Sequence, residues 1–402
     1  MNKTSGRALA RRVAVVLLAT VLVPAAAFIL LEGGSSLLLF VGGILEYEQQ
    51  PPLARLLHTR HDPDLGWANI PGVHVEDIYG PGVWLETNGQ GFRAERDFSK
   101  QVPPGRLRVI CSGDSFTLGY GVANDQTWCA RLEDIDPRFE SVNMGQGGYG
   151  VDQAYLWYRR DGTRLDHDVH IFAFIFDDFH RMQERTFLGY EKPVLAIRDG
   201  ELVVDNVPVP RRPFYAAWRD PLQRITADLR TSKLLRQLGG RSRAAPAAAK
   251  PGAAERDSAT WDVVRKVIDE LVAANRVKQS LLVLVQLPTT GDFRQGISDP
   301  WRGLVRREAE QRGLPYLDLV AELRRMPEQS VVPLFIAPGV MQYRAAAGHL
   351  TAKGNDWVAR AVYDHLTAQP VIEARLQALG GSREGSRAET SPQSERHRPD
   401  AP

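Results

Sequence analysis

Two stretches of this chain, Val169–Phe176 and Leu281–Leu287, are apolar at nearly every position. A run of that kind has no wet face. Any sheet it joins must be covered by helices on both sides, as at the centre of a parallel sheet. Three further runs are candidate strands: Leu107–Ser112, Glu140–Asn143 and Leu314–Leu319. Amphipathic segments lie beyond them: Trp261, Val264, Val267, Ile268 and Leu271 form one stripe, and Trp357, Val358, Ala361, Val362 and His365 another. Their spacing is helical and marks core-facing faces. The pattern predicts an α/β chain with three αβα layers around a doubly wound, mainly parallel five-stranded sheet.

Chemistry gathers where these strands end. The first closes on Gly113-Asp114-Ser115, a turn that lifts one hydroxyl to the carboxyl edge, where open α/β sheets bind ligands. The second leads into Asn143-Met144-Gly145-Gln146-Gly147-Gly148, the third into Asp177-Asp178, and the fifth, after a loop, into Gly348-His349. Gly145, Gly147 and Gly150 also match the dinucleotide fingerprint, with Asp166 and Asp168 downstream. The match follows the second strand rather than the first, and it is one match in a chain with 35 glycines. No nucleotide cofactor is expected from it, and no cysteine, histidine or carboxylate spacing suggests a metal.

Gly113-Asp114-Ser115-Phe116, with the next glycine at 119, differs from the G-x-S-x-G elbow. Taken with Asn143…Gly148 and His349-Leu350…Gly354-Asn355, it resembles the SGNH (GDSL-type) hydrolase family, of the membrane-anchored bacterial type, over about residues 106–180 and 280–370. That resemblance implies an SGNH/flavodoxin-like fold and a serine esterase or acyltransferase working through an acyl-enzyme. In it Ser115 is the nucleophile, His349 the general base, and Gly148 an oxyanion-hole donor through its N–H. The chain departs from the family at two places. Asp177 stands where an asparagine donates to the oxyanion, and an ionised carboxylate can only accept. Either Asp177 stays protonated in an apolar site and donates as a neutral acid, or it has left the hole, or it is a solvated or helix-capping residue. Ala346 replaces the aspartate that orients the histidine, which leaves a backbone carbonyl, Asp177 or Asp178 for that task. The departures also motivate a second expectation: a catalytically degenerate protein that binds glycan or a partner protein.

The amino terminus reads as a membrane element. Lys3, Arg7, Arg11 and Arg12 precede an uncharged run from Val13 to Leu31, whose 19 residues approach the roughly 20 that span a bilayer. Ala25-Ala26-Ala27 offers a cleavage pattern, but apolar residues continue past it, which favours an uncleaved single-pass anchor in the inner membrane. The charge bias puts the remainder on the periplasmic side. Ser36–Ile44 is a second apolar stretch, expected to be interfacial or packed. The expected substrate is therefore an acyl ester of an envelope polysaccharide or lipid, with acetyl among the candidate acyl groups. With 50 basic against 48 acidic residues, nothing points to nucleic acid, and the oligomeric state is not legible. Cys111 is expected to pack as a small hydrophobe, with a Cys111–Cys129 disulfide as the alternative outside the cytoplasm.

The resulting map is a cytoplasmic tip and anchor (1–35), a membrane-proximal preamble (36–105), a catalytic domain (106–372) and a disordered tail (373–402). Within the domain, an insertion (181–238) carries a hairpin signalled by Asp199-Gly200, and a low-complexity disordered loop follows (239–258).

Overall fold

The computed structural model describes residues 11–13, 15–48, 57–187, 190–210, 253–296 and 298–388. Residues 11–48 fall in one compact unit; 57–210 and 254–388 form another. The first is helical. Arg11–Leu38 is 28 residues long and apolar enough to cross a membrane, as an anchor or as a signal sequence. A π-turn, Leu18–Leu22, precedes Pro24, which has no N–H to give; Thr20 Oγ1 donates to the Val16 carbonyl in that turn. The stretch 36–44 is no separate element, because the helix Val23–Glu48 runs through it.

The second unit holds the predicted sheet. The first strands pair antiparallel: β1 (Thr59–Asp62) with β2 (Gly66–Asn69), and β3 (His74–Gly80) with β4 (Val83–Glu86). The central strands are β5 (Leu107–Gly113), β6 (Phe139–Gly145), β7 (Val169–Phe174), β12 (Leu281–Gln286) and β13 (Tyr316–Asp318). All pair in parallel, in the order β13-β12-β7-β5-β6. Numbered along the chain this is 2-1-3-4-5, so the order reverses between β5 and β7, where such sheets open a ligand crevice. Between β7 and β12 come the short pairs β8 (Thr186–Phe187) with β9 (Tyr190–Glu191), and β10 (Val194–Arg198) with β11 (Glu201–Asp205). Asp199 and Gly200 both have positive φ (51° and 80°), the turn that an Asp-Gly hairpin needs.

Alternate residues of each central strand feed opposite cores. Ile110, Val142, Phe172, Phe174, Leu282 and Leu284 face one helical layer, with Trp261, Val264, Ile268 and Trp301. Val109, Cys111, Ile171, Ala173, Val283 and Val285 face the other, with Leu132, Val358, Val362 and Leu366. Two strands are shorter than the apolar runs suggest. Phe176 and Leu319 instead open the helices Phe176–Arg181 and Leu319–Leu323, which start as soon as capping carboxylates, Asp178 and Asp318, reach free N–H groups.

Residues 57–105 of the preamble belong to the same compact unit as the sheet, tied by bonds such as Arg93 N–H to the Asn143 carbonyl (3.1 Å). Helix Ala253–Lys278 begins inside the segment read as a disordered loop; 211–252 lie outside the described residues. Helix Pro370–Ala388 replaces the first part of the expected tail, because Ile372 and Leu376 are buried in the second core; 389–402 lie outside the described residues. Cys111 and Cys129 form a disulfide rather than packing as free thiols, for the helix Trp128–Ile135 lies on the face of β5 toward which Cys111 points.

These cores carry two consequences for stability. Thiol titration of the unfolded protein should find no reactive thiol without reductant and two with it. Because the bond joins positions 18 apart, reduction should cost about 3 kcal/mol in denaturant unfolding. The second concerns pH. His167 and His170 are buried beside Tyr158, and burial lowers the first to about 4 and the second well below its usual range. The unfolded chain takes up protons below about pH 6.5 that the native chain refuses. Stability should therefore fall as pH drops from about 6.5 toward 4, His167 alone contributing up to about 3 kcal/mol. A flat unfolding midpoint across that range would contradict the burial.

Candidate active site

The turn after β5 is shaped by what lacks a Cβ. A Cβ on Gly113 would enter Thr117 and the Ala173 carbonyl, and one on Gly145 would enter the Leu118 backbone. The turn and the loop after β6 are therefore pressed together. Asp114 caps the one-turn helix Ser115–Leu118 by accepting from the Phe116 N–H (2.9 Å), which fixes Ser115 at its start. Ser115 is 4% exposed, and its Oγ lies 2.7 Å from His349 Nε2.

His349 arrives on the loop before the helix Ala352–Thr367. Ladder-like bonds to the segment at 335–336 hold its backbone: Gly348 N–H to the Ile336 carbonyl, and Ile336 N–H to the His349 carbonyl, both 2.8 Å. Its ring stacks on Phe116 (4.4 Å between centroids) and tilts against Tyr120 (5.2 Å). At 346 stands a fully buried alanine, so no carboxylate from that position orients the imidazole. Gly354 and Asn355 serve the architecture. A Cβ at 354 would enter the Leu334 carbonyl, and Asn355 Oδ1 accepts from the Trp128 N–H (2.9 Å).

The loop after β6 is likewise built by packing. Asn143 accepts from Gly145 N–H (2.9 Å) and donates to the Thr117 carbonyl (2.9 Å), coupling both loops. A Cβ on Gly147 would enter the Tyr120 hydroxyl, while Trp67 Nε1 donates to the Gly147 carbonyl (2.9 Å). Gly148 has φ +77°, and a Cβ there would enter the Phe187 ring. A Cβ on Gly150 would enter the Asp178 carbonyl, so packing accounts for Gly145, Gly147 and Gly150 of the fingerprint, and Asp166 and Asp168 are engaged elsewhere, with Lys278 and Arg375. The N–H groups of Ser115 and Gly148 donate to no protein acceptor among the described residues.

The third block differs from expectation. Asp177 is solvent-exposed in the first turn of Phe176–Arg181. The apolar site that the donor reading of Asp177 calls for is therefore not where this side chain lies. Asp178 is the buried one. Its Oδ2 accepts from the Ile175 N–H (3.0 Å) and its Oδ1 from Arg181 (2.6 Å). Burial first, then the charge of Asp114, raises its carboxyl well above the usual range. Arg181 also reaches Asp114 Oδ2 (3.1 Å), an oxygen 3.4 Å from Ser115 Oγ.

Other groups were not found from the sequence. Arg93 is buried, with no carboxylate on its guanidinium among the described residues. It donates to the carbonyls of Leu118 (2.6 Å), Gly119 (2.7 Å) and Val122 (2.6 Å) and to Asn124 Oδ1 (2.8 Å), and so clamps the chain just past Ser115. Burial lowers it to about 10. Lys192 and Asp152 form a fully buried ion pair that fastens the insertion to the helix after Gly150. A lone arginine or lysine reads as surface in a sequence; only the spacing of Asp178 and Arg181, three apart on a helix, carried a signal. Beside the His349 loop lies a cleft of about 330 Å³, lined by Phe293, Val331, Phe335 and Gly348 with Arg294 and Glu328.

If Gly148 is held as described, Gly148→Ala should cost about 1–2 kcal/mol for the left-handed backbone, plus the collision with Phe187. Phe187→Ala in the same chain should return only the collision part. A double-mutant cycle by thermal unfolding checks this, and strictly additive losses would contradict the contact.

No family model matches the sequence, and no curated protein matches it. Among solved structures, a lipolytic protein of the G-D-S-L family from Desulfitobacterium hafniense is similar over 65% of this chain and 100% of its own, at 15% identity and TM-score 0.38. A lipase/acylhydrolase from Enterococcus faecalis covers 65% of this chain and 96% of its own, at 10% identity and TM-score 0.38. An acetyl xylan esterase covers 64% and 98%, at 12% identity and TM-score 0.36. The likenesses concern the fold alone, and the site stands on its own geometry.

Proposed function

We propose that this chain is an SGNH-type serine ester hydrolase or acyltransferase, with Ser115 as nucleophile and His349 as general base. The observation that carries the reading is the 2.7 Å approach of Ser115 Oγ to His349 Nε2 across 234 positions of sequence. That distance is the reach a general base requires. With Nε2 unprotonated, it takes the hydroxyl proton as Oγ attacks an ester carbonyl. The carbonyl oxygen becomes an oxyanion, met by the N–H groups of Ser115 and Gly148. His349 then returns the proton to the leaving alcohol, and the acyl group rests on Ser115. Water completes hydrolysis; a sugar or lipid hydroxyl completes transfer.

The finer reading is an acyl ester of an envelope glycan or lipid, met on the periplasmic side of the inner membrane. It is supported by the apolar amino-terminal helix and by the disulfide, since such bonds persist outside the reducing cytoplasm. The alternative, a degenerate binder of glycan or protein, draws on the buried alanine at 346 and the exposed carboxylate at 177.

A fluorophosphonate probe separates the two. The enzyme should be labelled, and Ser115→Ala and His349→Ala should abolish or severely slow labelling. A folded wild type that stays unlabelled supports the binder. Asp177→Asn should keep or raise nitrophenyl acetate hydrolysis, because it replaces a charge that repels the oxyanion with a donor. Loss of all activity in Asp177→Asn would show that the carboxylate has another task.

A further inference from the structure

The transition state of ester cleavage places negative charge on one oxygen, and removing a single donor aimed there typically costs about 100- to 1000-fold in turnover. Two backbone N–H groups are available here, and position 177 contributes an exposed carboxylate instead of an amide. One turn further along the same helix stands Arg181. Its Nη1 lies within hydrogen-bond distance of three oxygens: Asp178 Oδ1 (2.6 Å), Asp114 Oδ2 (3.1 Å) and the Tyr149 carbonyl (3.1 Å). Two of these belong to the site. Asp114 Oδ2 is 3.4 Å from Ser115 Oγ, and Tyr149 directly follows Gly148.

We propose that Arg181 supplies the oxyanion contact that position 177 lacks, its guanidinium donating to the developing negative oxygen of an acyl ester bound at Ser115 and Gly148. The inference rests on the serine-ester reading above. A guanidinium carries five N–H donors in a rigid planar fork. Three oxygens fix one corner of that fork, and Phe187 lies against it, with the guanidinium carbon 5.5 Å from the ring centre. Nε and Nη2 donate to no protein acceptor among the described residues, so donors remain on a group that is already oriented. The side chain is 17% exposed, enough to meet a ligand and too little to wander.

Charge is the obvious objection, because two carboxylates on one cation would leave the cluster negative. Asp178 weakens it. Burial first, then the charge of Asp114, holds its carboxyl well above the usual range, which disfavours a second negative charge there. The edge that this cluster presents is the pair of donors left on Nε and Nη2. The neighbouring Asp177 carboxylate, one turn back, is also countered by the same cation.

The test uses the full chain, with nitrophenyl acetate turnover and fluorophosphonate labelling rate as readouts. Arg181→Met should lower kcat about 100- to 1000-fold with KM nearly unchanged. Arg181→Lys, a single point charge without the fork, should fall between the two. Adding Asp177→Asn to Arg181→Met should recover at least about tenfold, because an amide then donates from the same helix. A mere buttress predicts otherwise: lowered thermal stability at unaltered kcat, or a loss that Asp177→Asn does not touch, and either result overturns the proposal. Should Arg181→Met not fold, Arg181→Lys decides the matter. A kcat loss of about tenfold that Asp177→Asn recovers supports it, and wild-type kcat overturns it. A wild type inert to the probe removes the serine reading itself, and the role of Arg181 with it.

Discussion

A hydrogen bond between side chains 234 positions apart can exist only if the whole sheet is in register. Ser115 hangs from the end of β5, at the crevice where the strand order reverses. His349 hangs from a loop that is laced to residues 335–336 and capped by the helix Ala352–Thr367. The two meet because both loops are pressed inward. Gly113 and Gly145 let the turn and the neighbouring loop touch backbone to backbone, and Phe116 and Tyr120 give the imidazole ring two walls.

Much of this was legible because central parallel strands leave a distinctive trace. The runs at 169 and 281 could be buried on both faces and nothing else, and the fivefold alternation followed. Strand ends were less readable. Phe176 and Leu319 are as apolar as the strands before them, yet a carboxylate one or two residues away starts a helix there. The disulfide was not decidable from two cysteines, because a buried thiol and a bonded one occupy the same kind of position. The carboxyl-terminal helix looked like tail because Gly, Ser and Arg cluster in its second half, while few apolar residues, Ile372 and Leu376 among them, and the Arg375–Asp168 pair attach it. Ser115, His349 and Gly148 stood out by context, whereas Asp177 misled: the adjacent Asp178 turns inward, and one residue of helix rotation decides which carboxylate is dry.

The groups that sequence could not supply are mostly buried charges. Arg93, the Lys192–Asp152 pair and the Arg108–Glu140 pair all join segments far apart in the chain. Taking such charges out of water costs several kcal/mol each, so they are weak evidence for stability. Their common geometry suggests specificity instead. Arg93 ties the preamble to the turn past Ser115, and Lys192 ties the insertion to the helix past Gly150. An apolar substitute would pack, but it would not dictate which carbonyls meet at those two loops.

In the proposed serine-ester reading, Asp177 and Ala346 bear on opposite ends of one transition state. There, as Oγ attacks, positive charge grows on the imidazole and negative charge on the carbonyl oxygen. At 346 a buried alanine gives the imidazolium no counter-charge, and at 177 an exposed carboxylate gives the oxyanion no donor. Left alone, both losses raise the same barrier. The contact proposed for Arg181, held by Asp114, is directed at the larger of them, since stabilising the developing oxygen is usually the greatest single contribution to lowering such a barrier. The same guanidinium stands four residues along the helix from Asp177 and feels its charge, so the carboxylate at 177 has a counter-charge on its own helix.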